Sequence, residues 1–246
     1  MTAREEALAG RRFGDAADAY VAGRPEYPAQ VVEWLVGDAS SIADVGAGTG
    51  KLTAALVRDG RTVTAVEPDA GMLAALGREV PGARALQGTG EALPLPDASV
   101  DAVVYGQAWH WVDAPKASAE AARVLRAGGV LGLIWNVRDS SVDWVDRLGD
   151  VIHGSAAERM IETDAVAVAA PFGPLERTEV RCTRPMTVDA LVAMVESRSY
   201  VIALSPQERA GVLDGVRELV ATHPDTAGRE TIDLPYRTTG FRTVRP

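Results

Sequence analysis

Three glycines at alternate positions constrain this chain more than any other feature. They lie in Ala43-Asp44-Val45-Gly46-Ala47-Gly48-Thr49-Gly50. An apolar run at 41–45 precedes them, and apolar residues at helical spacing over 52–57 follow, closed by Gly60. Glycine tolerates the left-handed backbone that a tight strand-to-helix turn requires, and it lets a ligand lie against the main chain. The next apolar stretch, 61–67, is β-branched and ends on Glu67, 21 residues after Gly46. An acidic side chain at that point can accept hydrogen bonds from both hydroxyls of a ribose. Loop and acid together predict a nucleoside-containing ligand at the carboxyl ends of parallel strands.

The rest of the chain supports that frame. Asp69 is placed to cap a helix through Leu76. Strands are predicted at 83–87 and 100–105, and a helix at 115–125 with Pro115 in its first turn, where the missing N–H costs little. The run 129–135 is almost continuously apolar, as expected for a parallel strand buried on both faces. Strand–helix alternation of this kind predicts an α/β fold with a doubly wound sheet. Beyond Asn136 the alternation stops. One or two helices are expected over 139–170, with Trp144, Leu148, Val151 and Ile152 as their apolar stripe. A strand is expected at 176–183, helices at 187–198 and 205–221, and a last strand at 231–237. The 246 residues are read as one domain: an N-terminal cap (1–37), a ligand-binding core (38–136), a cap insertion (137–175), and C-terminal strands and helices (176–246).

Composition removes several classes. With 34 acidic against 25 basic side chains, net charge is −9, which opposes binding to duplex nucleic acid. The single cysteine, Cys182, excludes an internal disulfide framework. No run of about 18 apolar residues is present to span a membrane, and residues 1–10 lack the core of a signal peptide. A cytoplasmic protein is expected, as monomer or homodimer. No Cys/His/Asp cluster has metal-ligand spacing, so no metal is expected. Lys51 occupies the position where a dinucleotide fingerprint needs its third glycine, and Leu52 the position where a phosphate-cradling loop needs Ser or Thr. Both readings therefore fit poorly.

The Gly-x-Gly-x-Gly spacing after Asp44 resembles the first motif of the class I S-adenosylmethionine-dependent methyltransferases. Other segments extend the resemblance: 88–96 with 99–103, then Gln107-Ala108-Trp109-His110-Trp111-Val112-Asp113, then 120–131, and the N-terminal stretch 13–28. This order is similar to a small-molecule branch that includes trans-aconitate methyltransferase. The likeness is good over 13–136 and loose over 176–246. It implies a seven-stranded, mostly parallel, Rossmann-like sheet with an antiparallel last strand and a helical cap. It also implies S-adenosyl-L-methionine as cofactor and methyl transfer to a small molecule, foremost at oxygen.

The resemblance assigns roles to individual residues. Gly46, Gly48 and Gly50 approach the methionine part of the cofactor. Asp44 holds that region through loop amides or a water, or only braces the loop. Glu67 takes the ribose, and Met72 packs on the adenine or fills the core. Tyr20 and Arg24 form a flap, with Arg24 meeting a carboxylate. Many relatives carry Asp, reaching the adenine amino group, where this chain has Thr89; a carbonyl near Gly90 or the Glu91 side chain are the alternatives. Gln107 binds the cofactor's carboxylate or a backbone neighbour. His110 accepts a proton from a substrate hydroxyl, orients a carboxylate, or is structural. Trp109, Trp111 and Trp135 are candidates for an aromatic substrate wall, with one or two of them expected there and the others as ordinary core residues. Two other readings stay open: a cofactor-binding sensor or assembly module of the same fold, and a nicotinamide-dependent oxidoreductase, which Lys51 opposes.

Overall fold

Valine, isoleucine and threonine dominate the short central strands, and burial on both faces follows. A computed structural model describes residues 26–246 other than Asp59; Tyr20, Arg24 and most of the expected N-terminal cap lie outside the described residues. The seven strands are β1 (Ser41–Val45), β2 (Thr62–Glu67), β3 (Arg84–Gln87), β4 (Val100–Gly106), β5 (Leu125–Arg138), β6 (Glu176–Thr187) and β7 (Thr231–Val244). Their order across the sheet is β3-β2-β1-β4-β5-β7-β6. The pairs β1–β2, β1–β4, β2–β3 and β4–β5 are parallel. β7 runs the other way. Gly128 N donates to Arg245 O, and Arg245 N to Gly129 O; further along, Asp139 N donates to Pro235 O. Falling numbers on β7 against rising numbers on β5 define an antiparallel pair. The seven-stranded, mostly parallel sheet is the expected one.

The chain divides into two compact units. The sheet unit contains Glu26–Asn136, Met160–Val180 and Thr238–Pro246. Its helices include α1 (Ala29–Val36), α2 (Lys51–Leu56), α3 (Ala70–Glu79) and α4 (Ala114–Val124). Val31, Val32, Leu35 and Val36 of α1 pack with Ile42, Leu52, Leu56, Val104 and Ile134 in one apolar cluster. Asp69 caps α3 by accepting the Met72 amide (2.9 Å), and Asp113 caps α4 by accepting the Lys116 amide (3.1 Å). Each such cap contributes on the order of 1 kcal/mol.

The helical unit is drawn from Val137–Arg159 and Arg181–Arg237. It holds α5 (Asp143–Ile152), the start of α6 (Ala156–Glu162), α7 (Val188–Glu196), the short α8 (Ser199–Ile202) and α9 (Pro206–Thr222). The predicted stripe is largely its core: Trp144, Leu148 and Ile152 are buried against Leu191, Val195 and Val216, with Val151 packed beside them. Ser205 and Glu208 close a reciprocal capping box on α9.

Sequence periodicity misplaced several ends. β5 runs from Leu125 to Arg138 and β7 to Val244, well past the expected 129–135 and 231–237. Pairing with a neighbour strand extends both beyond what the apolar pattern marks. Residues 163–170 form no helix. Among the described residues, no helix is long and apolar enough to cross a membrane.

Candidate active site

Parallel register sets the candidate residues along one edge of the sheet. Val45 lies beside Val66, Asp44 beside Val104, Glu67 beside Gln87, and Gly106 beside Ile134. The glycine loop, Glu67, the segment after β4 and the end of β5 therefore all leave the sheet at its carboxyl side, where ligands bind in open α/β sheets.

The three loop glycines differ in what surrounds them. All have left-handed backbones, with φ of 67°, 58° and 93° at Gly46, Gly48 and Gly50. A Cβ on Gly46 would stand 2.6 Å from Ala108 Cβ, and one on Gly50 2.9 Å from Val80 Cγ2. Among the described residues, a Cβ on Gly48 would meet only the Met72 sulfur, at 4.0 Å. Packing thus demands glycine at the outer two positions, whereas the middle one borders open space. Met72 is buried beneath that space.

Asp44 is fully buried at the end of β1. Its Oδ2 accepts the Thr53 hydroxyl at 2.6 Å, from the first turns of α2. Its Oδ1 is buried, with no hydrogen-bond partner among the described residues. No loop amide reaches the carboxyl among the hydrogen bonds of the described residues, so the expected loop-amide contact is replaced by Thr53. Burial pushes the Asp44 carboxyl up to about 7, against the Thr53 hydrogen bond and with added repulsion from Glu67.

Glu67 is also buried, and both its oxygens hold main chain. Oε2 accepts the Gly48 amide (2.8 Å) and Oε1 the Asp69 amide (3.0 Å). It therefore stitches the glycine loop to the turn after β2. Burial raises this carboxyl, and the two amides oppose that. Each oxygen retains acceptor capacity, since an ionised carboxylate offers about four lone-pair sites.

The segment after β3 divides its candidates. Thr89 is exposed and bridges Ala92 through its backbone. Gly90 is buried, and its carbonyl accepts the Tyr105 hydroxyl at 3.5 Å. Glu91 Oε1 accepts the Asp113 amide (2.9 Å), so its side chain braces the start of α4.

After β4, Gln107 takes a positive φ of 56° and donates its side-chain amide to Asn136 O (2.5 Å). Trp109 and Trp135 are both buried. The Trp109 indole N–H donates to Ala167 O (3.0 Å), and its ring meets Tyr105 edge-on. The Trp135 ring meets Phe241 edge-on, and its N–H donates to His110 Nδ1 (3.3 Å). Of the three tryptophans, these two are thus buried, as the core alternative has it. Trp111 is 43% exposed, with His110 against its face. Sequence reading passed over Thr53 and Asn136. Thr53 follows Asp44 by nine residues, a spacing that signals contact only once the loop geometry is known. Asn136 accepts the Thr238 hydroxyl (2.5 Å) and donates to Glu26 O (3.3 Å), both far away in sequence. Among the described residues, no three His, Cys, Asp or Glu side chains stand together as metal ligands.

Comparison with known proteins agrees with this geometry. A family model described as a methyltransferase domain matches residues 43–133, from the end of β1 into β5. An uncharacterized methyltransferase of Mycobacterium tuberculosis is 47% identical over 233 residues, covering 94% of this chain and 95% of the relative. An uncharacterized methyltransferase of Schizosaccharomyces pombe is 30% identical, covering 97% and 98%. The solved structure of a proposed type II methyltransferase from Anaeromyxobacter dehalogenans shares the fold, with TM-score 0.66 at 24% identity over 90% of this chain and 96% of that one. With a relative this similar over nearly its whole length, the chain belongs to the class I S-adenosylmethionine-dependent methyltransferases.

Proposed function

We propose that this enzyme binds S-adenosylmethionine over the glycine loop and transfers its methyl group to an oxygen of a small-molecule acceptor. The observation that carries the cofactor assignment is the partnerless Asp44 Oδ1, buried beneath a loop whose middle glycine borders open space. A buried acceptor without a donor is costly, and the cofactor's ammonium group, directly or through one water, is a fitting partner. When bound, the cofactor supplies a methyl group on a sulfonium centre, a good leaving group.

The chain's own residues then bind and position. Gly46, Gly48 and Gly50 admit the methionine portion, Glu67 accepts the ribose hydroxyls on lone pairs that the two amides leave, and Met72 lies under the adenine. Gly90 main chain is the stronger adenine candidate, since Glu91 is engaged with Asp113 and Thr89 carries no charge. Gln107 keeps its carbonyl oxygen for the cofactor's polar end. Positioning and exclusion of water supply most of the rate.

His110 supports an oxygen acceptor. Its Nδ1 accepts from the Trp135 indole, so the neutral ring carries its proton on Nε2. Such a ring donates a hydrogen bond and orients an oxygen that is already nucleophilic; to take a proton at Nδ1 it would first lose Trp135. Trp111 is the aromatic residue left to border the acceptor.

Calorimetric titration with S-adenosylhomocysteine tests the cofactor half: binding tighter than about 1 mM is expected, and its absence defeats the reading. Transfer of labelled methyl to a metabolite extract tests the second half and separates an enzyme from a binding module. A single-turnover rate unchanged in His110→Gln across pH would remove that residue.

A further inference from the structure

Thr53 stands out among the residues around the glycine loop, because packing alone does not explain it. It is the third residue of α2 and is fully buried. Valine has nearly the same shape, so the hydroxyl is what threonine adds there. A helical threonine commonly returns its hydroxyl to a carbonyl of the preceding turn. Thr53 instead reaches nine residues back and donates to Asp44 Oδ2 at 2.6 Å. That length belongs to a charge-assisted O–H···O⁻ bond. Threonine is stiff about its first side-chain torsion, so the helix holds the donor in place. With Oδ2 occupied from α2, Oδ1 is the oxygen left over, buried and without a partner among the described residues. The surroundings oppose an ionised Asp44. Burial favours the neutral acid, and so does Glu67 at the end of β2; the Thr53 hydroxyl pulls the other way, and its amide adds a smaller pull. β4 places Val104 beside Asp44, and α2 carries one ionisable residue, Lys51, at its start.

We infer that Thr53 is a positioning residue for the cofactor: its hydroxyl holds Asp44 as a carboxylate with Oδ1 left for the ligand's ammonium group. That role rests on cofactor binding as proposed above. The hydroxyl gives its single hydrogen to Oδ2, so the lone pairs of Oδ1 stay available. Without that donor, burial and Glu67 act on Asp44 with less opposition, and the acid keeps its proton to higher pH. A neutral acid offers an ammonium group no charge to pair with.

Calorimetric titration of the full chain with S-adenosylhomocysteine, at about pH 6 and about pH 8.5, tests this. Thr53→Val removes the hydroxyl and keeps the shape. Its affinity should fall about tenfold at the lower pH and less than about threefold at the higher, as for a carboxyl raised by about one unit. Thr53→Ser keeps the donor and should stay within about threefold of the unaltered protein at both. In an Asp44→Asn background, Thr53→Val should change affinity less than about threefold at either pH. A threonine that served packing alone would cost the same at both pH values and in both backgrounds. Should Thr53→Val fail to fold, Thr53→Ser and Thr53→Ala differ by the hydroxyl alone and carry the same comparison. No loss at the lower pH, an equal loss at both, a full loss in the Asp44→Asn background, or serine behaving as valine would each overturn the inference and leave cofactor binding intact. Absence of S-adenosylhomocysteine binding by the unaltered protein would overturn the cofactor reading and this role together.

Discussion

Two buried carboxylates show how differently the two units use charge. Asp44 in the sheet unit has one hydroxyl partner and an empty oxygen, and burial pushes it up to about 7. Glu158 in the helical unit is also buried, though less completely, and the Arg138 hydrogen bonds and charge outweigh burial and hold it at about 2. One carboxyl is left ready for a ligand; the other is spent on the fold. A buried acid alone therefore says little about function. Whether its oxygens are already satisfied decides.

The largest expected effect breaks the satisfied pair. Glu158→Ala leaves Arg138 buried and uncompensated and should destabilise the protein by about 3–5 kcal/mol in urea unfolding. A loss below about 1 kcal/mol would mean that water already screens the pair. In the sheet unit, Gly46→Val drives a branched side chain toward Ala108. S-adenosylhomocysteine affinity should then fall by about a hundredfold or more, on the scale of an overpacked, strained site. Glu67→Gln keeps the shape but removes charge, and should weaken that ligand about tenfold, the value of a charge-assisted hydrogen bond.

The pH dependence sharpens the contrast between the acids. Because the folded pKa of Asp44 lies above its unfolded value, the folded state holds that proton more tightly. Its contribution to ligand-free stability is present below the unfolded pKa of about 4 and is lost as pH rises toward 7. A ligand ammonium group favours the ionised form, so S-adenosylhomocysteine should bind about tenfold tighter at pH 8 than at pH 6, and Asp44→Asn should flatten that dependence. Glu158 has the opposite sign: its depressed pKa stabilises above the unfolded value, and that contribution is lost as pH falls through about 2. The smallest effect should come from Gly48→Ala, where space is available and only the left-handed backbone costs about 1–2 kcal/mol.

The sheet unit was the more legible in sequence. The strand–glycine–helix run and the acid 21 residues on are local signals, and local sequence determines them. A seven-stranded, mostly parallel sheet with an antiparallel last strand followed once the resemblance was added. What stayed hidden depends on distant partners. Trp109 and Trp135 read equally as wall or core because they lie at strand ends, and the partners they meet, Ala167 and Phe241, are far along the chain. Glu91 read as an alternative adenine contact because the amide it accepts, that of Asp113, lies 22 residues on. The Arg138–Glu158 fork joins a strand end to a helix 20 residues later, and nothing in the periodicity of either marks it.

The contact between Gly46 and Ala108 has a historical consequence. A Cβ on the glycine would stand 2.6 Å from the alanine's own, so position 46 cannot gain a side chain while Ala108 keeps its place. Sixty-two positions apart, the two are coupled in that direction. Lineages descended from this sequence should therefore keep glycine at 46 wherever 108 carries a side chain. A side chain at 46 should mark branches in which the loop was rebuilt and the nucleoside ligand given up.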